Sequence, residues 1–173
     1  MAGSAKTSEP AQRYLLALGS NRRHARYGGP RQVLLAVRKA LKRLGIELEV
    51  LSRIVETDPI GPSRRRFANA AAIVSTSSPP DELLARLKRI ERGFGRRSGG
   101  ARWGDRVLDL DIVLWEGGAW TGPGLTVPHI DFRRRRFVLG PAVRIAGRWR
   151  DPLSGLSLSQ LHARVTRPRA LPR

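Results

Sequence analysis

"RWGDRVLDLDIVLW", residues 102–115, sets two carboxylates one residue apart inside an otherwise apolar, β-prone run. Side chains alternate between the faces of a strand, so Leu108, Leu110, Ile112 and Leu114 are expected on one face while Asp109 and Asp111 share the other. Two anions that close repel each other unless a cation lies between them or water screens them. The pair therefore reads either as a solvated strand face or as a seat for a hard cation. Magnesium is the natural candidate for such a seat, because it takes oxygen ligands and is commonly held by one or two carboxylates plus substrate phosphates.

Upstream, "RYLLAL" from Arg13 has the pattern of a strand, ended by Gly19, Ser20 and Asn21 in ordinary turn chemistry. "PRQVLLAVRKALKRLG" reads as an amphipathic helix: Pro30 opens it, Val33, Val37, Leu41 and Leu44 form one stripe, and Gly45 stops it. "IELEVLSRI" alternates Ile46, Leu48 and Val50 against Glu47 and Glu49, as a half-buried strand should. "FANAAAIVST" is a further strand. "SPPDELLARLKRIERGFG" is a second helix, with Ser78 as its cap, Pro79 at its first position and Leu83, Leu84, Leu87 and Ile90 facing inward. The Asp-x-Asp run closes a β-α-β-β-α-β order, which predicts a ferredoxin-like α+β sandwich. Residues after 116, rich in Gly and Pro, are expected to form an appended C-terminal segment of little regular pattern. The ends, 1–12 and 166–173, read as loose tails on a single domain spanning 13–165.

Length and composition set the outer bounds. A chain of 173 residues with 40% hydrophobic content suits one domain with a real core. No apolar run approaches the roughly 18 residues of a membrane span, and no basic-then-apolar leader is present, so neither a span nor export is expected. The absence of cysteine excludes disulfides and thiolate metal sites and fits a cytoplasmic protein, for which a monomer is expected. The charge of +19, with 33 Lys and Arg against 14 acids, favours polyanionic partners of any kind. Position says more than number: the arginines cluster at Arg64 to Arg66, Arg96 and Arg97, and Arg133 to Arg136. Neither G-x-x-x-x-G-K-[ST] nor G-x-G-x-x-G after a strand occurs. A nucleotide would thus be held by metal and arginines. Arg96, Arg97, Arg102 and Arg106 lead directly into Asp109 and Asp111, and phosphoryl-type transfer needs mainly positioning, charge neutralisation and metal bridging.

These residues carry a resemblance. "YLLALGSN", "SRIVETDPIGP" followed by "FANAAAIV", "RWGDRVLDLDIVLW" and "LTVPHIDFRRRRFVLGPA" resemble, in order and spacing over roughly residues 13–155, the 6-hydroxymethyl-7,8-dihydropterin pyrophosphokinases of folate biosynthesis. The resemblance implies a ferredoxin-like fold, two magnesium ions, and transfer of the β,γ-pyrophosphoryl group of ATP to the pterin hydroxymethyl oxygen with release of AMP. Carried onto this chain, it implies that Asp109 and Asp111 hold the metals, which would separate their charges. Thr57, Pro59, Gly61, Phe67 and Asn69 match the pterin pocket, with Asn69 suited to the amide edge of the ring, and Trp103 and Phe137 match two aromatics that sandwich it. Arg96, Arg106, His129 and Arg135 match ATP contacts, and Ile112 and Thr126 lie at nucleotide-lining positions; Arg96 and Arg106 join the acids as catalytic candidates. No nucleic acid or membrane partner is implied.

Some positions depart from the resemblance. Asp105 adds an acid where proline is common, Ser98, Gly99 and Gly100 replace a more basic loop, and Ile130 follows Pro-His where proline or tyrosine is usual. Taken singly, Trp103 and Phe137 would be core aromatics and Arg133 to Arg136 a solvated or polyanion-binding face. His24 and His162 match nothing and read as surface residues. Two other classes are weighed: a basic nucleic-acid-binding module, whose phosphates Asp109 and Asp111 would repel, and a catalytically inactive pterin-binding paralogue, which would not need those acids.

Overall fold

The computed structural model describes residues 10–58, 65–95 and 106–167. Its centre is a pair of long strands, β1 (Gln12–Ser20) and β4 (Phe67–Thr76), antiparallel from Gln12 opposite Thr76 to Ser20 opposite Ala68. Along the other edge of β4 lie β2 (Glu47–Leu51) and β3 (Val55–Thr57), and along the other edge of β1 lies β5 (Asp109–Trp115). The order β2-β4-β1-β5 with every pairing antiparallel is that of a ferredoxin-like α+β sheet. A separate two-stranded ladder joins β6 (Trp120–Gly122) to β7 (Leu125–Val127). No helix among the described residues is long and apolar enough to cross a membrane.

Helices α1 (Pro30–Arg43) and α2 (Pro80–Gly93) cover one face of the sheet. Val33, Val37 and Leu41 of α1 and Leu83, Leu87 and Ile90 of α2 pack with Tyr14, Leu16, Leu18, Leu108, Leu110 and Ile112, as their spacing predicted. The first turn of α2 differs from expectation. Pro79 is the cap residue and Pro80 the first helical one, while the carbonyl of buried Ser78 accepts the Tyr14 hydroxyl at 2.7 Å.

Two bulges change which side chains share a face. In β2, Leu48 pairs with Val74 but Val50 pairs with Ile73, so Glu49 is supernumerary. Val50 is thereby turned away from Ile46 and Leu48 and is 40% exposed. In β5, Ile112 pairs with Leu16 but Leu114 with Leu15, leaving Val113 unmatched. Leu114 consequently joins Val113 on the face opposite Leu108, Leu110 and Ile112. The register shift, invisible to a strict period of two, is the physical reason for both differences.

The second face is closed by the C-terminal region, which is far more regular than its composition implied. A 3₁₀ turn (Phe132–Arg134), α3 (Arg136–Ala146) and α4 (Leu158–Thr166) bury Phe132, Leu139, Ala142, Leu158 and Leu161 against Leu15, Ala71, Ile73 and Val113. α3 runs through Pro141, and α4 starts in a capping box of Ser157 and Gln160. Alanines on both faces of β4 let helices approach the strand from either side, so the sheet becomes the middle of three layers. His24 is also not a lone surface residue: its ring lies 4.7 Å from Tyr27 and 5.8 Å from Phe94 at the end of α2.

Candidate active site

One row of residues crosses the sheet where β1 ends and β5 begins. Val55 faces Asn69, Asn69 faces Gly19, and Gly19 faces Asp109; in the next row of this face, Ala17 faces Asp111. The two acids therefore share a face, and the strand between them and β4 carries only the smallest side chains. A Cβ at Gly19 would lie 3.6 Å from Asn69 Oδ1 and 3.9 Å from Asp109 Cβ, filling the floor between them. Above this floor is a cavity of about 300 Å³, walled on one side by Thr57, Asp58 and Phe67 and on the other by His129, Asp131, Arg135 and Phe137.

Each polar group has a structural reason for its position. Asn69 Nδ2 donates to Thr57 Oγ1 at 2.7 Å, a cross-strand link that orients the amide. Arg106 Nη1 donates to Asp109 Oδ2 at 2.6 Å. The main chain of Arg106 is in turn clamped by Asn21, which is 2% exposed: Asn21 Oδ1 accepts from Arg106 N at 2.7 Å and Asn21 N donates to Arg106 O at 3.0 Å. His129 N donates to Val113 O at 3.0 Å, and its Nδ1 accepts from Asp131 N at 3.1 Å, so a neutral ring carries its proton on Nε2. Beneath the site, fully buried Glu91 takes the Leu110 N–H at 2.7 Å and Lys88 Nζ at 3.0 Å, fastening α2 to β5.

The charge balance favours a cation. Burial, then the neighbouring Asp109 charge, push the Asp111 carboxyl above the ordinary carboxylate range, and His129, Lys88 and Arg135 only partly offset this. A buried carboxyl that resists ionisation beside a second acid is short of positive charge, and the oxygens there suit a hard ion. Among the described residues no group of three or more His, Cys, Asp and Glu converges on one point. From the described residues, an ion held by Asp109 and Asp111 would gain no third His, Asp or Glu ligand, which leaves room in its shell for substrate oxygens and water.

Of the residues singled out in the sequence, Thr57, Phe67, Asn69, Arg106, Asp109, Asp111, His129, Arg135 and Phe137 all line this cavity. Ile112 does not: it is 2% exposed in the core on the α1 and α2 face, because it alternates with Asp111. Thr126 is exposed at the middle of β7 and also lies off the cavity. Pro59, Gly61, Arg96 and Trp103 lie outside the described residues, as do Asp105, Ser98, Gly99 and Gly100. The run Arg133 to Arg136 is not a uniform basic face. Arg133 is paired with Asp151, Arg135 with Asp131, and Arg136 Nε donates to Val165 O at 2.6 Å.

Sequence reasoning missed Asp58, Asp131 and Glu91. Glu91 had a signal, since it falls four residues after Leu87 on the apolar stripe of α2, where a charge is out of place. Asp131 had a weaker one, the i, i+4 spacing to Arg135.

Residues 15–147 match the family described as 7,8-dihydro-6-hydroxymethylpterin-pyrophosphokinase (HPPK). The chain is 38% identical over 154 residues to the 2-amino-4-hydroxy-6-hydroxymethyldihydropteridine pyrophosphokinase of Pseudomonas aeruginosa, a match covering 88% of this chain and 91% of that protein. It is 37% identical over 121 residues to the protein of the same name from Synechocystis, covering 70% of this chain and 62% of the relative. Among solved structures, a crystal structure of Plasmodium falciparum HPPK-DHPS gives a TM-score of 0.73 over 92% of this chain and 46% of that chain, at 12% identity, a likeness of fold alone.

Proposed function

Because the chain belongs to the 7,8-dihydro-6-hydroxymethylpterin-pyrophosphokinase family and is a pyrophosphokinase of folate synthesis, we propose that its cavity aligns the pterin hydroxymethyl oxygen with the β-phosphorus of magnesium-bound ATP. The observation that carries this reading is the pairing of Asp109 and Asp111 over the Gly19 floor, opposite Arg135 and His129. Asp109 and Asp111 would hold two magnesium ions. When bound, the metal supplies Lewis-acid neutralisation of the polyphosphate charge. Arg106 and Arg135 add fixed positive charge where negative charge builds up, and His129 offers its Nε2 proton to a phosphate oxygen.

The pterin lies on the other side of the floor. Phe137 and Phe67 supply apolar walls for a flat heterocycle, and the Asn69 amide, oriented by Thr57, meets its polar edge. By the family resemblance, Pro59, Gly61 and Trp103 are assigned to the pterin and Arg96 and Thr126 to the nucleotide, to which Ile112, its side chain buried on the far face, can offer only main-chain groups. The acceleration comes mainly from alignment and charge neutralisation. We expect a cytoplasmic monomer with ATP and the pterin as its only partners and no nucleic acid. AMP release from ATP, measured with and without 6-hydroxymethyl-7,8-dihydropterin and with and without magnesium, tests the reading. AMP formed only when all three are present supports it, and AMP formed equally without pterin would mean simple ATP hydrolysis.

A further inference from the structure

One residue touches both His129 and Arg135 on the far wall of the cavity, and the reaction as proposed gives it no task. The main-chain N–H of Asp131 donates to His129 Nδ1 at 3.1 Å, and its carboxylate Oδ2 accepts from Arg135 Nη2 at 2.6 Å. The 3₁₀ turn between them fixes their separation: Arg134 N reaches Asp131 O at 3.1 Å and Arg135 N reaches Phe132 O at 3.2 Å. Phe132 is 1% exposed, so the turn is pinned to the core. The Arg135 guanidinium also stands over the Phe137 ring, 5.8 Å from its centroid.

We propose that Asp131 is a positioning residue, whose carboxylate holds Arg135 between the Phe137 wall and Asp111 before any substrate arrives. The inference rests on the placement of Arg135 against the polyphosphate proposed above. An arginine free to explore its rotamers must be ordered in the loaded enzyme, at the expense of transition-state stabilisation. A charge-assisted hydrogen bond across a rigid turn moves that ordering into the folding of the protein. The contact to Oδ2 is made through Nη2, one part of a guanidinium that has five N–H donors in all. A carboxylate at this point also opposes polyphosphate binding, so the gain in placement has to exceed that repulsion.

The test is a double-mutant cycle in the full-length enzyme, Asp131→Ala, Arg135→Ala and both together, with Asp131→Asn as the conservative variant. Neither Asp131 substitution removes the main-chain bond to His129, so the cycle isolates Arg135. Asp131→Ala should lower kcat about tenfold to hundredfold, the range in which misplaced catalytic groups act, with pterin affinity unchanged. Asp131→Asn, which keeps an oxygen acceptor, should recover much of that loss, and Asp131→Ala should be nearly silent once Arg135 is already alanine. An equal loss in both backgrounds would mean a merely structural role and overturn the proposal, as would an increase in kcat on Asp131→Ala. An Arg135→Ala enzyme with normal kcat would instead remove Arg135 from the reaction, and the proposal with it.

Discussion

Arg133 and Asp151 meet fork to fork: Nε lies 2.7 Å from Oδ2 and Nη2 lies 2.6 Å from Oδ1, with the Asp151 side chain fully shielded from solvent. The carboxylate also accepts from the Ser154 hydroxyl and, at 3.2 Å, from Leu153 N. This pair ties the turn that carries Asp131 and Arg135 to the α3–α4 connection. Removing Arg133 strands a buried anion, which costs about 3 kcal/mol or more. Arg133→Met should therefore lower the melting temperature by roughly 6–12 °C for a chain of this size. A shift within experimental error would mean that water replaces the arginine without loss.

The same carboxylate makes stability depend on acid. Burial by itself would raise its pKa, but the hydrogen bonds from Arg133, Ser154 and Leu153 N–H together outweigh burial and hold it below its usual 3.8. A carboxylate depressed on folding contributes stability that is present above its unfolded-state value and is lost as pH falls through the folded-state value. Melting followed from neutral pH downward should show a decline below 3.8 that is steeper in the wild type than in Arg133→Met. Parallel curves for the two proteins would count against the depressed pKa.

Asp111 has the opposite sign. Its pKa is raised, first by burial and then by Asp109, so stability is lost as pH rises from the unfolded-state value to the folded-state value, and the full cost is present above it. Without magnesium at neutral pH, Asp111→Asn should melt higher by roughly 2–4 °C while turnover falls by more than about a hundredfold. Asp109→Asn should gain less, because Asp109 already shares a 2.6 Å contact with Arg106. Magnesium and ATP should stabilise the wild type more than either variant, and a large drop in metal-free stability for Asp111→Asn would refute the electrostatic picture.

Asn21 acts at the root of the site. Replacing it by alanine removes the Oδ1 acceptor of the Arg106 N–H at 2.7 Å while keeping its own main-chain bond to Arg106 O. A part-buried donor left without that acceptor costs about 1–3 kcal/mol, and the start of β5 should loosen around Arg106. We expect a lower urea midpoint and a reduced kcat with pterin affinity nearly intact. A kcat equal to that of the wild type would show that Arg106 needs no such clamp.

Much of this was written in the chain order. The spacing of Val33, Val37 and Leu41 and of Leu83, Leu87 and Ile90 gave two helices, and the run of strands between them gave the antiparallel order of the sheet. Asp109 and Asp111 share a face because they lie two residues apart in a strand, a local property. Phe67 and Asn69 reach the same cavity for the same reason.

What only the tertiary structure decided depends on partners far away in sequence. The bulges that turn out Val50 and bring Leu114 over to Val113 arise from pairing with β4 and β1, and no pattern within β2 or β5 announces them. α3 continues through Gly140 and Pro141 because Leu139 and Ala142 are buried against the second face of the sheet, and packing there outweighs local propensity. The run Arg133 to Arg136 is uniform as sequence, yet its members are separated by what they meet: Asp151 eighteen residues on, Asp131 one turn back, and the carbonyl of Val165 in α4. Periodicity fixes which way a side chain leaves its own element, but the charge or hydrogen-bond partner that gives it a task is brought to it by the packing of other elements.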